Sequence, residues 1–105
     1  MYFLNVTNIA EEDILSATDY IINELGMPKA ANNLLNEIEN KGKILEHTPG
    51  IYPFVPDDFL ARIGIKFVKI KNYMLFYIIN EDEKTVTVIR FLYARRDWKN
   101  ILKIT

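Results

Sequence analysis

The chain has 105 residues, half of them hydrophobic and 12% aromatic, with no cysteine and a formal net charge of −1. That length suits one compact domain spanning 1–105, and the composition excludes a disordered chain, a disulfide scaffold and thiolate metal sites. The opening stretch MYFLNVTNIAEED has no basic n-region and no apolar run approaches the roughly 18 residues of a membrane span, so a soluble cytoplasmic protein is expected.

In chain order, YFLNV (2–6) reads as a first strand. Asn8, with Glu11 three residues on, has the spacing of a capping box that opens a helix. Ala10, Ile14, Ala17, Ile21 and Leu25 then recur at steps of three and four, one helical face widened by Ile22. Gly26 is placed to end that helix in a left-handed conformation, and Pro28 to begin another, where its missing amide hydrogen costs nothing. The second stripe is Ala31, Leu34, Leu35, Ile38, Gly42 and Leu45, and it stops at HTPG (47–50), where Pro49 disfavours helical geometry at Thr48. The short break between the two stripes predicts an antiparallel helical hairpin.

Residues 49–61 hold three prolines and show no clean period. They read as a crossover from helices to sheet in preference to a functional flap. RIGIKFVKI (62–70), YMLFYII (73–79) and TVTVIRFLY (85–93) are rich in β-branched and aromatic residues, and their short connections force antiparallel neighbours. RRDWKNILK (95–103) reads as a terminal helix with Trp98, Ile101 and Leu102 on its packing face. The expected fold is α+β in the order β-α-α-β-β-β-α, a helical hairpin on a mainly antiparallel sheet.

Charge is unevenly spread. Residues 1–58 carry three Lys/Arg against ten Asp/Glu, a net of −7, whereas residues 59–105 carry ten against four, a net of +6. A basic second half either meets an anionic partner or is plain solvated surface. His47 is the only histidine, at the predicted end of the second helix, where a cation complements the helix dipole. No phosphate-cradling glycine loop, paired metal ligands or Ser-His-Asp set is present, so neither metal nor cofactor is expected. What remains is basic and aromatic. If strands 62–70 and 85–93 flank 73–79, Arg62, Lys66 and Arg90 could converge on one open sheet face and grip a phosphodiester. The ordinary alternative is that each arginine pairs with a carboxylate such as Asp97.

The LGMPKAANNLL hairpin (25–35), GIKFVKIKNYMLFYII (64–79) and VIRFLYARRDWKNIL (88–102) together resemble the RelE/ParE superfamily of toxins from bacterial type II toxin–antitoxin (plasmid stabilisation, or addiction) modules. The similarity covers nearly the whole chain and implies a RelE-like fold. It also implies a growth-inhibiting toxin held inactive by a cognate antitoxin, whose acidic tail folds onto the sheet and helices. In the RelE-like branch the toxin is a metal-independent endoribonuclease (an mRNA interferase) that cuts mRNA on the ribosome. The resemblance then implies Arg90 and Tyr93 as catalytic residues, with Arg62, Lys66, Lys69, Arg95 and Arg96 binding phosphate. In the ParE-like branch the target is DNA gyrase and there is no nuclease activity; the RRDW ending is the more similar to that side. A third reading is a degenerate toxin that only binds its antitoxin. The sheet region offers no His or Glu as a base, so an RNase centre here would have to use Tyr93 or a lysine of lowered pKa.

Overall fold

In the computed structural model, which describes residues 1–104, the first helix is opened by a side chain that faces two elements at once. Thr7 accepts the Ala10 N–H through its hydroxyl at 3.1 Å and donates to the Ile89 carbonyl at 3.2 Å. It thereby takes the capping position expected of Asn8. The short strand β1 (Phe3–Val6) leads into α1 (Asn8–Asp19), which runs on as a π-helical segment over Tyr20–Glu24. Gly26, at φ +63°, ends it, and α2 (Pro28–His47) returns antiparallel. The π segment explains one departure from the sequence pattern. A wider turn holds an extra residue, which rotates whatever follows by about 100°. Ala10, Ala17 and Ile21 lie buried in the core as expected, whereas Ile22 and Leu25 are turned out to solvent.

The sheet has the order β1-β4-β3-β2, with β2 (Lys66–Ile70), β3 (Tyr73–Asn80) and β4 (Thr85–Tyr93) antiparallel and β1 parallel to β4. The mainly antiparallel α+β architecture is therefore the expected one, with an additional short helix, α3 (Asp58–Arg62), inside the crossover. α3 corrects the strand start at Arg62. Asp57 accepts the Leu60 N–H at 3.0 Å and caps a helical turn that includes Arg62, so β2 begins only at Lys66. The last helix, α4 (Trp98–Lys103), starts three residues later than predicted, because the Arg96 N–H turns back onto the Tyr93 carbonyl.

Both faces of the sheet are covered. Against the helical hairpin pack Val68, Ile70, Leu75, Tyr77, Val86, Val88 and Phe91. The opposite face packs Met74, Phe76 and Leu92 against Leu60 of α3 and Leu102 of α4, with Trp98 5.4 Å from the Phe76 ring. Burying each large apolar side chain here contributes about 1.5–3 kcal/mol relative to leaving it exposed. Gly42 lets α2 approach β1 closely; a Cβ there would lie 3.2 Å from Leu4 Cδ2. The crossover also shields the β2 edge. Phe54 bridges to Lys66, the Val55 N–H donates to the Ile65 carbonyl, and the Phe67 N–H to Pro53. Segment 49–61 is thus a structural crossover.

Candidate functional site

The expected gathering of cations on one open face does not occur. Register places Lys66 opposite Tyr77 and Lys69 opposite Met74. Tyr77 belongs to the hairpin core and Met74 to the other core, so the two lysines lie on opposite faces. Arg62 is on α3, away from the strand it was assigned to. Lys66 donates to the Tyr52 carbonyl at 2.9 Å and sits 3.9 Å from the centre of the Phe54 ring, which ties the crossover to the edge strand. Lys69 and Arg95 are solvated.

Arg90 is held most firmly. The β3–β4 register shifts between Phe76, opposite Arg90, and Tyr77, opposite Val88, so Ile89 is the extra residue of a β-bulge. β1 pairs no further than Val88, which leaves the β4 edge beyond it without a strand partner. Asp13 of α1 takes that place. Its carboxylate accepts from Arg90 Nε at 2.7 Å, from Arg90 Nη2 at 3.0 Å and from the Phe91 N–H at 3.0 Å. The two side chains are only 15% and 13% exposed. The Asp13 hydrogen bonds push the Arg90 pKa further up, so the guanidinium is a fixed charge whose Nε–Nη2 edge is already occupied.

Tyr93 and Arg96, by contrast, come together in a groove of about 920 Å³ between the helical hairpin and the ends of β3 and β4. Its apolar wall is Ile21, Leu25, Met27, Leu34 and Phe91. It is also lined by Tyr20, Tyr73 and Tyr93 with Lys71, Asn72 and Arg96. The β-turn before β3 places Lys71 in a left-handed conformation at φ 56°, and the Asn72 carbonyl accepts the Ala94 N–H at 2.8 Å, fixing the turn to the end of β4. Tyr73 stacks on Phe91 at 4.9 Å and meets Tyr93 edge-on at 5.6 Å. Burial, and then the neighbouring Tyr93 and Tyr20 hydroxyls, push the Tyr73 phenol above its usual range, so it is a neutral donor.

Tyr20, Lys71 and Tyr73 escaped the sequence reading because their meeting depends on how the hairpin lies on the sheet. The apolar pair Leu25 and Met27 around the helix-ending Gly26 was the one local signal. Among the described residues, no group of three or more His, Cys, Asp or Glu side chains converges on a possible metal position. No helix is long and apolar enough to cross a membrane. The groove offers hydrogen-bond donors, two cations and an apolar wall, which is equipment for binding.

The family model described as "ParE toxin of type II toxin-antitoxin system, parDE" matches residues 4–98. A comparison with curated proteins gives no match. Among solved structures, the chromosomal ParDE system of P. aeruginosa aligns with a TM-score of 0.71 at 16% identity, over 90% of this chain and 98% of the other. The isolated E. coli RelE toxin aligns at 0.60 and 17% identity over 100% of both chains. The intact E. coli RelBE toxin–antitoxin complex aligns at 0.59 and 18% identity, over 91% and 100%. At such identities these likenesses concern the fold.

Proposed function

The chain belongs to the ParE toxin family of type II toxin–antitoxin systems, and on that premise we propose that it arrests growth in the cytoplasm by binding a protein target, DNA gyrase, and does not cut mRNA. One observation carries the choice between the two branches. Arg90, the residue assigned to clamp the reacting phosphate, is bound through two guanidinium nitrogens to Asp13 and shares that carboxylate with a backbone amide. With its Nε–Nη2 edge taken by a carboxylate that neutralises its charge, and only 15% of the side chain exposed, this guanidinium offers a phosphodiester little beyond its Nη1 edge. The dispersal of Arg62, Lys66 and Lys69 over different elements and faces supports the same reading. Tyr93 and Arg96 then serve in recognition. A cognate antitoxin is the natural neutralising partner, with an acidic tail that orders as it folds onto the toxin.

The test is induced expression followed by pulse-labelling of DNA, RNA and protein synthesis. The expected result is a DNA-damage response and falling DNA synthesis while translation initially continues. Immediate loss of translation with cleaved ribosome-bound mRNA would return the chain to the endoribonuclease branch. Growth at the normal rate would mark it as a degenerate toxin.

A further inference from the structure

On the sheet face away from the helical hairpin, α3 and α4 reach only part of the surface. Past Phe76 the next residue of β3 on that face is Ile78, which pairs with Thr87, and Thr87 pairs in turn with Asn5 of β1. This uncharged row borders a depression of about 370 Å³ lined chiefly by Ile9, Ile63, Ile65, Ile78 and Ile89. Ile63 is 57% exposed, Ile9 44% and Ile78 36%. Phe3, farther along the same face because Leu4 and Val6 turn to the hairpin core, is 70% exposed. Single exposed isoleucines are ordinary, but several around one hollow mark a contact surface. The one charge in the lining, Arg90, is paired with Asp13, so covering the depression strands no unpaired ion.

The charges flanking the depression have both signs. Glu12 lies one turn on from Ile9 along α1, on the same side of that helix. Arg62 immediately precedes Ile63 at the end of α3. α1 packs on β4, whereas α3 leads into β2 at the far edge of the sheet, so acid and base flank the hollow from opposite sides. Both side chains are exposed, and among the described residues neither has an ion-pair partner; Asp58, one turn before Arg62, is not within salt-bridge distance of it.

We infer that two copies of this chain associate through this face about a two-fold axis, isoleucines against isoleucines, with Glu12 of each copy facing Arg62 of the other. A partner of one sign would satisfy one flank and repel the other. A second copy complements both, because an isologous contact sets the same patch against itself. A specific interface buries at least about 1,000 Å² in all, and a two-fold axis uses every side chain of the patch twice. The inference does not rest on which target the toxin attacks.

The test is sedimentation equilibrium of the full chain, made by cell-free synthesis, over roughly 1–100 µM. The parent should pass from monomer to dimer in that range. Ile63→Asp should weaken dimerisation roughly tenfold or more. Glu12→Arg alone and Arg62→Glu alone should each weaken it by about tenfold, since each sets like charges together at two symmetric places. The double variant, Glu12→Arg with Arg62→Glu, should recover the parent's affinity. The two single charge variants, poor at pairing with themselves, should pair with each other when mixed. All three positions are exposed, and circular dichroism checks that each variant folds. A parent that stays monomeric throughout would overturn the inference and leave the face to an unlike partner. A dimer that persists undiminished in Ile63→Asp would overturn it too, as would single charge variants that fail to pair when mixed. The pulse-labelling experiment reads the target separately, and neither of its outcomes alters the expected dimer.

Discussion

Replacing Asp13 by alanine is expected to destabilise the protein by about 2–3 kcal/mol, more than an ordinary helix-surface substitution. The magnitude follows from what the carboxylate holds. It satisfies two guanidinium nitrogens and the Phe91 N–H on a strand edge that β1 does not reach. Removing one partner of a largely buried ion pair costs about 3–5 kcal/mol, and here both side chains keep some contact with water, which lowers the figure. Arg90→Ala should cost less, about 1.5–2.5 kcal/mol, because Asp13 keeps its bond to the Phe91 amide. The double variant should show a coupling of about 1–2 kcal/mol between the two sites. Urea unfolding followed by the fluorescence of Trp98, packed against Phe76, reads all three variants alongside the parent. In cells, Arg90→Ala should lose toxicity only in proportion to its lost folded fraction. Stability within about 0.5 kcal/mol of the parent for both single variants, with no coupling, would refute the structural account of Arg90. A fully folded Arg90→Ala protein that no longer arrests growth would do so as well, and would restore this residue to a role at the substrate.

Tyr77→Phe removes the hydroxyl that donates to the Pro49 carbonyl from the buried sheet, and should cost about 1–2 kcal/mol in the same unfolding assay. Gly26→Ala forces a Cβ into the left-handed region at φ +63° with no gain in packing, and should cost about 1 kcal/mol. The Leu60 N–H, and behind it Lys103, hold the Asp57 carboxyl below its ordinary value of 3.8. A depressed folded pKa stabilises above the unfolded value and loses that contribution as pH falls through the folded one. The stability gap between the parent and Asp57→Asn should therefore be widest above 3.8 and close in stronger acid, as acid titrations of both by circular dichroism would read.

The charge polarity of the sequence acquires a more limited meaning in three dimensions. The acidic first half and the basic second half meet inside the molecule at Asp13–Arg90 and Asp57–Lys103. Part of the asymmetry is therefore internal pairing. Lys71 and Arg96 are where the basic half adjoins exposed apolar surface.

Local properties of the sequence determined the helical hairpin and the three strands, apart from where β2 begins. These are a step of three to four apolar residues, the positive φ at Gly26, the ring of Pro28, and β-branched runs joined by connections too short for anything but antiparallel pairing. The residue types of the expected phosphate clamp were legible too, but not their arrangement. Arg90 reads the same in sequence whether it faces solvent or a carboxylate 77 positions earlier. Only the packing of α1 along the free edge of β4 brought Asp13 there, and only the bulge at Ile89 and the π turn at Tyr20–Glu24 set which side chains line the groove. A single inserted residue in a strand or a helix changes the direction of everything after it while leaving the apolar pattern almost untouched.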